Sequence, residues 1–168
     1  MLESWYKTST TGLKMVVSLS CFPKALRVRL GDALTEHAGL WHHAAWDAFK
    51  TEDAVYLRVA LEVGDQPFHL YLHQDGEVLQ FEAPLVHDFP TEASSFVLSE
   101  LCGRNTLMSF RVDFKPSPTL YAWGRLEFDT FMKQHTGFMP YLVIRLKDAK
   151  IMLREFLGGV EATQTSTS

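Results

Sequence analysis

Three consecutive segments of alternating apolar and polar residues constrain the fold of this chain most strongly. They span 54–63, 68–73 and 78–85, and short turns at Gly64 and Gly76 join them. A period of two residues places successive side chains on opposite faces of a β-sheet. Gly-Asp and Asp-Gly pairs tolerate the positive φ of tight hairpins, so we expect neighbouring strands to pair antiparallel. The resulting sheet has one apolar face and one face that carries tyrosine, arginine and histidine side chains.

Helical spacing and a second hairpin complete the predicted architecture. Apolar residues recur at helical intervals over 24–38, 90–103 and 141–157. The alternating segments 108–114 and 120–128, separated by a proline-rich turn, indicate two further strands. We therefore predict a two-layer α+β fold with an antiparallel five-stranded sheet and the element order α-β-β-β-α-β-β-α.

Length and composition are those of one globular domain. A chain of 168 residues buries a sizeable core, and 46% hydrophobic with 21% charged residues are ordinary values for a folded protein. We expect a flexible N-terminal extension over 1–14, a single α+β domain over 15–159 and a disordered tail over 160–168. Residues 41–50 fit neither period, so the sequence predicts only a short strand or an irregular bridge there.

The sequence contains no recognisable catalytic or metal-binding motif. Cys21 and Cys102 lie far apart without metal-type spacing, which favours reduced thiols in a cytoplasmic protein. His69 and His73 would lie about 13 Å apart along an extended strand, too far for one shared metal ion. Glycine-rich phosphate loops and the serine-hydrolase elbow are absent. We expect a cytoplasmic, non-catalytic protein with no metal, no cofactor and no membrane segment.

The span 26–157 resembles the YbjN-like family, whose members share the fold of type III secretion chaperones. The likeness lies in the element order and in two local patterns. One is the hairpin pair that leads into 81–86, with its alanine, proline and leucine, and the other is the helix over 98–105 that precedes the strand at 110–113. The resemblance implies a small dimeric protein that binds other proteins and has no catalytic site.

The second face of the predicted sheet carries many residues suited to contact. Its outward positions are Tyr56, Arg58, His69, Tyr71, His73, Arg111, Asp113, Tyr121, Trp123 and Arg125. Tyr, Trp and Arg are enriched at the energetic centres of protein interfaces. The predicted partner-binding residues are Tyr56, Arg58, His69, Tyr71, Arg111, Tyr121, Trp123 and Arg125.

Two other interpretations of this face stay open. Half of its residues could pack beneath a helix or loop of the same chain. Aromatic residues interspersed with arginines also stack on and neutralise single-stranded nucleic acid, although a net charge of −4 weighs against it. We predict a non-catalytic, chaperone-like module that holds a segment of a partner protein. Single-stranded nucleic-acid binding through the same face is the alternative.

The last predicted helix is apolar over more than half of its circumference. Val143, Ile144, Ile151 and Met152 widen its stripe beyond what a single sheet face usually requires. Such a helix lies either within the core of one chain or between two subunits. We predict a homodimer whose interface includes these four residues, with plain core as the alternative.

Overall fold

The computed structural model describes residues 5–8, 12–37, 39–52, 54–64, 66–104, 108–115 and 117–166. Within them, eight strands form one antiparallel sheet and three α-helices pack on one of its faces. In chain order the elements are β1 (Trp5–Thr8), β2 (Gly12–Val17), α1 (Lys24–Glu36), β3 (His42–Lys50), β4 (Val55–Val63), β5 (Gln66–Asp75), β6 (Val78–His87), α2 (Ser94–Arg104), β7 (Ser109–Asp113), β8 (Thr119–Glu127) and α3 (Phe128–Ser166).

The strand order across the sheet is β1-β2-β3-β4-β5-β6-β8-β7, and every neighbouring pair is antiparallel. The turns at Gly64 and Gly76 have φ values of 61° and 60°, as the predicted hairpins require. After β6, the chain passes through α2 to the edge strand β7. β8 then returns between β7 and β6, so the two predicted hairpins become neighbours in one sheet.

The predicted five-stranded sheet and its order α-β-β-β-α-β-β-α are wrong, because β1, β2 and β3 extend the sheet beyond β4. β3 lacks a clear alternation because Ala48 and Phe49 are adjacent and both buried. Its register against β4 also shifts between His42 and Ala45. A bulge of this kind interrupts the period of two that marks a strand in sequence.

The two ends of the chain also differ from the sequence prediction. Strands occupy 5–8 and 12–17, where a flexible extension was expected through residue 14. β2 pairs with β3, a segment more than twenty residues away, and a short strand depends on such a distant partner more than on local propensity. At the other end, α3 continues to Ser166 and does not end at the glycine pair that follows residue 157.

The apolar face of the sheet and the inner sides of the helices share one core. Alternate residues of β4, β5, β6 and β8 are buried, and α1 meets them through Leu26 and Leu30. α3 covers the same face with Leu142, Leu146 and Leu153. Each fully buried side chain of this size contributes about 1.5–3 kcal/mol. The helices therefore form one layer and the sheet forms the other.

The ring of Phe81 leaves no room for a side chain at Gly124 of β8. The two residues face each other across β6 and β8, and the Phe81 ring occupies the position that a Cβ at Gly124 would take. The same ring meets Phe138 of α3 edge-on, with 5.8 Å between centroids. A glycine here lets an aromatic ring fill the space between the sheet and α3.

α3 is kinked near its beginning, and α1 supports the kink. Gln134 has non-helical dihedral angles, and Pro140 lies inside the helix. Because proline has no N–H, the carbonyl oxygen of Thr136, four residues earlier, lacks its regular α-helical donor. Nε2 of His37, at the C-terminal end of α1, donates to this oxygen over 2.6 Å. The His37 side chain thus replaces the hydrogen bond that Pro140 removes, and it joins α1 to α3.

We expect His37→Ala to lower the free energy of unfolding by about 1–2 kcal/mol, because it leaves the Thr136 carbonyl without its donor. Pro140→Ala restores a backbone N–H that can donate to the same oxygen. In the Pro140→Ala background, His37→Ala should therefore lower the free energy of unfolding by less. Urea denaturation of the wild type, the two single variants and the double variant measures this difference. An equal loss in both backgrounds would contradict this account of the kink.

Candidate functional site

The face of the sheet opposite the helices is the candidate functional site, and we call it the open face. Its residues from β3 to β8 include Asp47, Phe49, Tyr56, Arg58, His69, Tyr71, His73, Asp75, Gln80, Glu82, Pro84, Arg111, Asp113, Thr119, Tyr121, Trp123 and Arg125. All eight predicted partner-binding residues lie on it. No helix in the part of the chain that the structure describes covers this face, so the alternative in which a helix of the same chain covers it is not seen there.

A cluster of rings occupies the open face where β3, β4 and β5 meet. Phe49 and Tyr56 stack with their ring centroids 5.4 Å apart and their planes 10° apart. Tyr71 meets Phe49 edge-on at 5.8 Å, and His73 lies 4.8 Å from Tyr56. Phe49 is buried, whereas the other three rings are half-buried. The cluster holds the two tyrosines in place while leaving part of each ring accessible.

A row of paired residues crosses the open face at its middle. Asp47, Arg58, Tyr71, Glu82 and Trp123 lie opposite one another on β3, β4, β5, β6 and β8. At about 4.8 Å per strand the row is about 19 Å long. It therefore places two large aromatic residues and three charged residues on one line.

Arg58 is held by Asp47 at one end of this row. Its Nε lies 2.9 Å from Oδ1, and Nη2 donates to Oδ2, so the pair is bidentate. The side chains are 33% and 39% exposed. A two-point ion pair fixes the guanidinium plane better than a single contact does.

Arg111 forms the other strong pair and reaches across a strand. From β7, its guanidinium lies over the Tyr121 ring of β8, 4.9 Å from the centroid, and Nη2 donates to Glu82 of β6 over 2.9 Å. Its Nε lies 3.2 Å from Asp113 Oδ1. Burial opposes its charge, but the two carboxylates outweigh burial and raise the pKa of Arg111. Burial, followed by the same carboxylates, raises the pKa of Tyr121.

The charges of the open face largely neutralise one another. Arg125, the third arginine, lies 3.6 Å from Asp75, and both side chains are more than half exposed. Each of the three predicted arginines therefore has a carboxylate partner within 4 Å. The face presents aromatic rings and internally paired charges; it is not a basic surface.

Sequence reasoning missed Asp47, Phe49 and Glu82. Glu82 occupies an outward position of the alternating third strand, between Phe81 and Ala83, and that alternation is a signal that could have found it. Asp47 and Phe49 belong to β3, whose alternation is broken, so no local pattern indicates their orientation. Only the pairing of β3 with β4 brings them to Arg58 and Tyr56.

The four residues predicted at a dimer interface lie partly in the core and partly on the outer side of α3. Val143 is buried in the core at 2% exposure, and Met152 is half-buried against it. Ile144 and Ile151 are 47% and 45% exposed on the outer side of α3. Val143 is therefore a core residue, because it lies on the side of the helix that faces the sheet.

No family model, curated protein or solved structure matches the chain. The resemblance to the YbjN-like family therefore stays a prediction. Across the described ranges, no helix is long and apolar enough to cross a membrane, and no three His, Cys, Asp or Glu side chains are grouped as ligands of a metal ion.

We expect the stability of the protein to depend on two histidines of the open face. Burial, and then Arg58, lowers the pKa of His69 below 6.5, and burial lowers the pKa of His73 likewise. The unfolded chain then binds more protons than the folded protein, so the free energy of unfolding is highest above pH 6.5 and falls as the pH drops through the lowered values. The double variant His69→Gln with His73→Gln should reduce this fall in the free energy of unfolding, as measured by urea denaturation at a series of pH values.

His87→Gln, a change of an exposed histidine at the end of β6, is the matched control for this experiment. It should leave the decline as steep as in the wild type. An unchanged decline in the double variant would show that other groups cause the pH dependence.

Proposed function

We propose that the protein is a non-catalytic, chaperone-like binding module that holds a segment of a partner protein on the open face. The observation that carries this proposal is the combination of half-buried Tyr and Trp side chains with internally paired charges on a sheet face that no described helix covers. Tyr56, Tyr71, Tyr121 and Trp123 supply most of the aromatic area. Side chains of these types contribute large contact areas at low cost in conformational entropy.

The rigidity of the face supports binding. Tyr56 is stacked in the ring cluster, and Tyr121 lies beneath the guanidinium of Arg111, which two carboxylates hold in turn. Side chains that are ordered before binding lose little further freedom when a partner arrives. A preformed surface of this kind favours affinity without rearrangement of the sheet.

The chemistry of the face indicates the kind of segment that it would hold. The inner strands β4, β5, β6 and β8 already pair on both sides, so the face offers side chains and no backbone hydrogen bonds. Its arginines are occupied by carboxylates. We therefore infer a segment of low charge with apolar side chains, which would contact the rings of Tyr71 and Trp123 from above.

The paired arginines weigh against single-stranded nucleic acid. A phosphate would have to displace Asp47 from Arg58, or Glu82 and Asp113 from Arg111, and each displacement would leave a half-buried carboxylate without its cation. The net charge of −4 adds repulsion at longer range. For single-stranded nucleic acid, the open face offers stacking residues, but its paired arginines do not supply the free positive charge that phosphate binding requires.

We expect short peptides selected on the wild-type protein from a random display library to bind the open face. Trp123→Ala should weaken their binding about 30-fold, the effect of a hot spot of about 2 kcal/mol. Between about 50 mM and 200 mM salt the affinity should change little, because few unpaired charges take part. Fluorescence anisotropy measures both effects.

Phe114→Ala is the matched control, because Phe114 is 61% exposed just beyond β7 and is not one of the open-face residues. It should leave peptide binding unchanged. Failure to select any peptide, or equal binding by Trp123→Ala, would overturn the proposal. A thymidine oligonucleotide that binds with steep salt dependence would replace it with the nucleic-acid alternative.

A further inference from the structure

The outer side of α3 carries a line of exposed residues that the open face does not explain. Gly137, Ile144, Ile151 and Gly158 recur at intervals of seven residues, and all four are exposed. Seven residues are close to two helical turns, so these positions lie nearly above one another. Leu146 points to the opposite side, into the core. The line is therefore an apolar strip that faces solvent along about 33 Å of helix.

Charges of opposite sign flank this strip. Lys147 and Arg154 follow the two isoleucines by three residues and lie on one side of the strip. Asp148 and Glu155 follow them by four residues and lie on the other side. Asp148 is 55% exposed, and its contact with Arg145 is as long as 4.0 Å, so its carboxylate can accept a second cation.

This arrangement is complementary to itself in one orientation only. When two copies of a helix lie parallel about a two-fold axis, the left side of one meets the right side of the other. Lys147 and Arg154 then meet Asp148 and Glu155 of the second copy. In an antiparallel pair, equal sides meet, which places like charges against each other.

We propose that the outer strip of α3 is the interface of a parallel homodimer, with Ile144 and Ile151 each packed against its own copy. Gly137 and Gly158 have no side chain, and the space beside each is open, so the helices can approach closely at both ends of the strip. The occupant of this surface is a second copy of the chain because the two charged sides match each other. The contact is short, so the dimer is weak and its assembly depends on concentration.

The dimer leaves the open face accessible, because α3 lies on the other side of the sheet. Each dimer then carries two open faces. This interface uses two of the four residues predicted from the sequence, Ile144 and Ile151, and replaces Val143 and Met152 with the flanking charges. It goes beyond the proposed binding role and does not depend on it.

Reversal of charge on one side of the strip tests the proposal. Lys147→Glu with Arg154→Glu makes both sides acidic, and Asp148→Lys with Glu155→Lys makes both sides basic. We expect each double variant to self-associate at least about tenfold more weakly than the wild type. Their mixture should associate, and the variant with all four changes should self-associate again. Analytical ultracentrifugation detects masses between 19.1 kDa and twice that value.

The matched control is Arg29→Glu with Asp32→Lys, two exposed changes on α1 that should leave self-association as in the wild type. Orientation is tested by Ile151→Cys in a background of Cys21→Ser and Cys102→Ser. A parallel dimer brings the two introduced thiols together, so oxidation yields a covalent dimer, whereas an antiparallel pair would not. A mass of 19.1 kDa at every concentration, no association in the mixture, or no covalent dimer would overturn the proposal.

Discussion

Burial of one face of the sheet beneath the helices is the constraint on which the rest of this structure depends. Apolar residues of β4, β5, β6 and β8 meet α1 and α3 in one core, and Gly124 makes room for the Phe81 ring at its centre. Because the three described helices all pack on this side, none of them covers the opposite face. The open face is thus a direct consequence of a two-layer fold whose helices form a single layer.

The chemistry of the open face follows from strand pairing. Arg58 and Arg111 each contact carboxylates on neighbouring or next-neighbouring strands, and the guanidinium of Arg111 lies over the ring of Tyr121. A face of paired charges and half-buried rings is suited to apolar segments of low charge. The same residue types without their carboxylates would have made a basic, stacking surface, which is why Asp47 and Glu82 distinguish the two proposed functions.

α3 connects the core with the second proposed surface. The hydrogen bond from His37 to Thr136 compensates for Pro140 and joins α1 to the kinked part of α3. The packing of α3 decides which of its residues face the sheet and which face solvent. The open face and the outer strip of α3 lie on opposite sides of the molecule, so partner binding and self-association can occur together.

Local patterns in the sequence determined the hairpins around Gly64 and Gly76, the helical segments and the side of the sheet on which Tyr71 and Trp123 lie. These features depend on periodicity and turn chemistry over a few residues. Only the tertiary structure decided that β1 to β3 extend the sheet, and that Val143 belongs to the core. It also decided that Arg111 reaches Glu82, 29 residues away. Strand partners and ion pairs across strands depend on register between distant segments, which no local pattern contains.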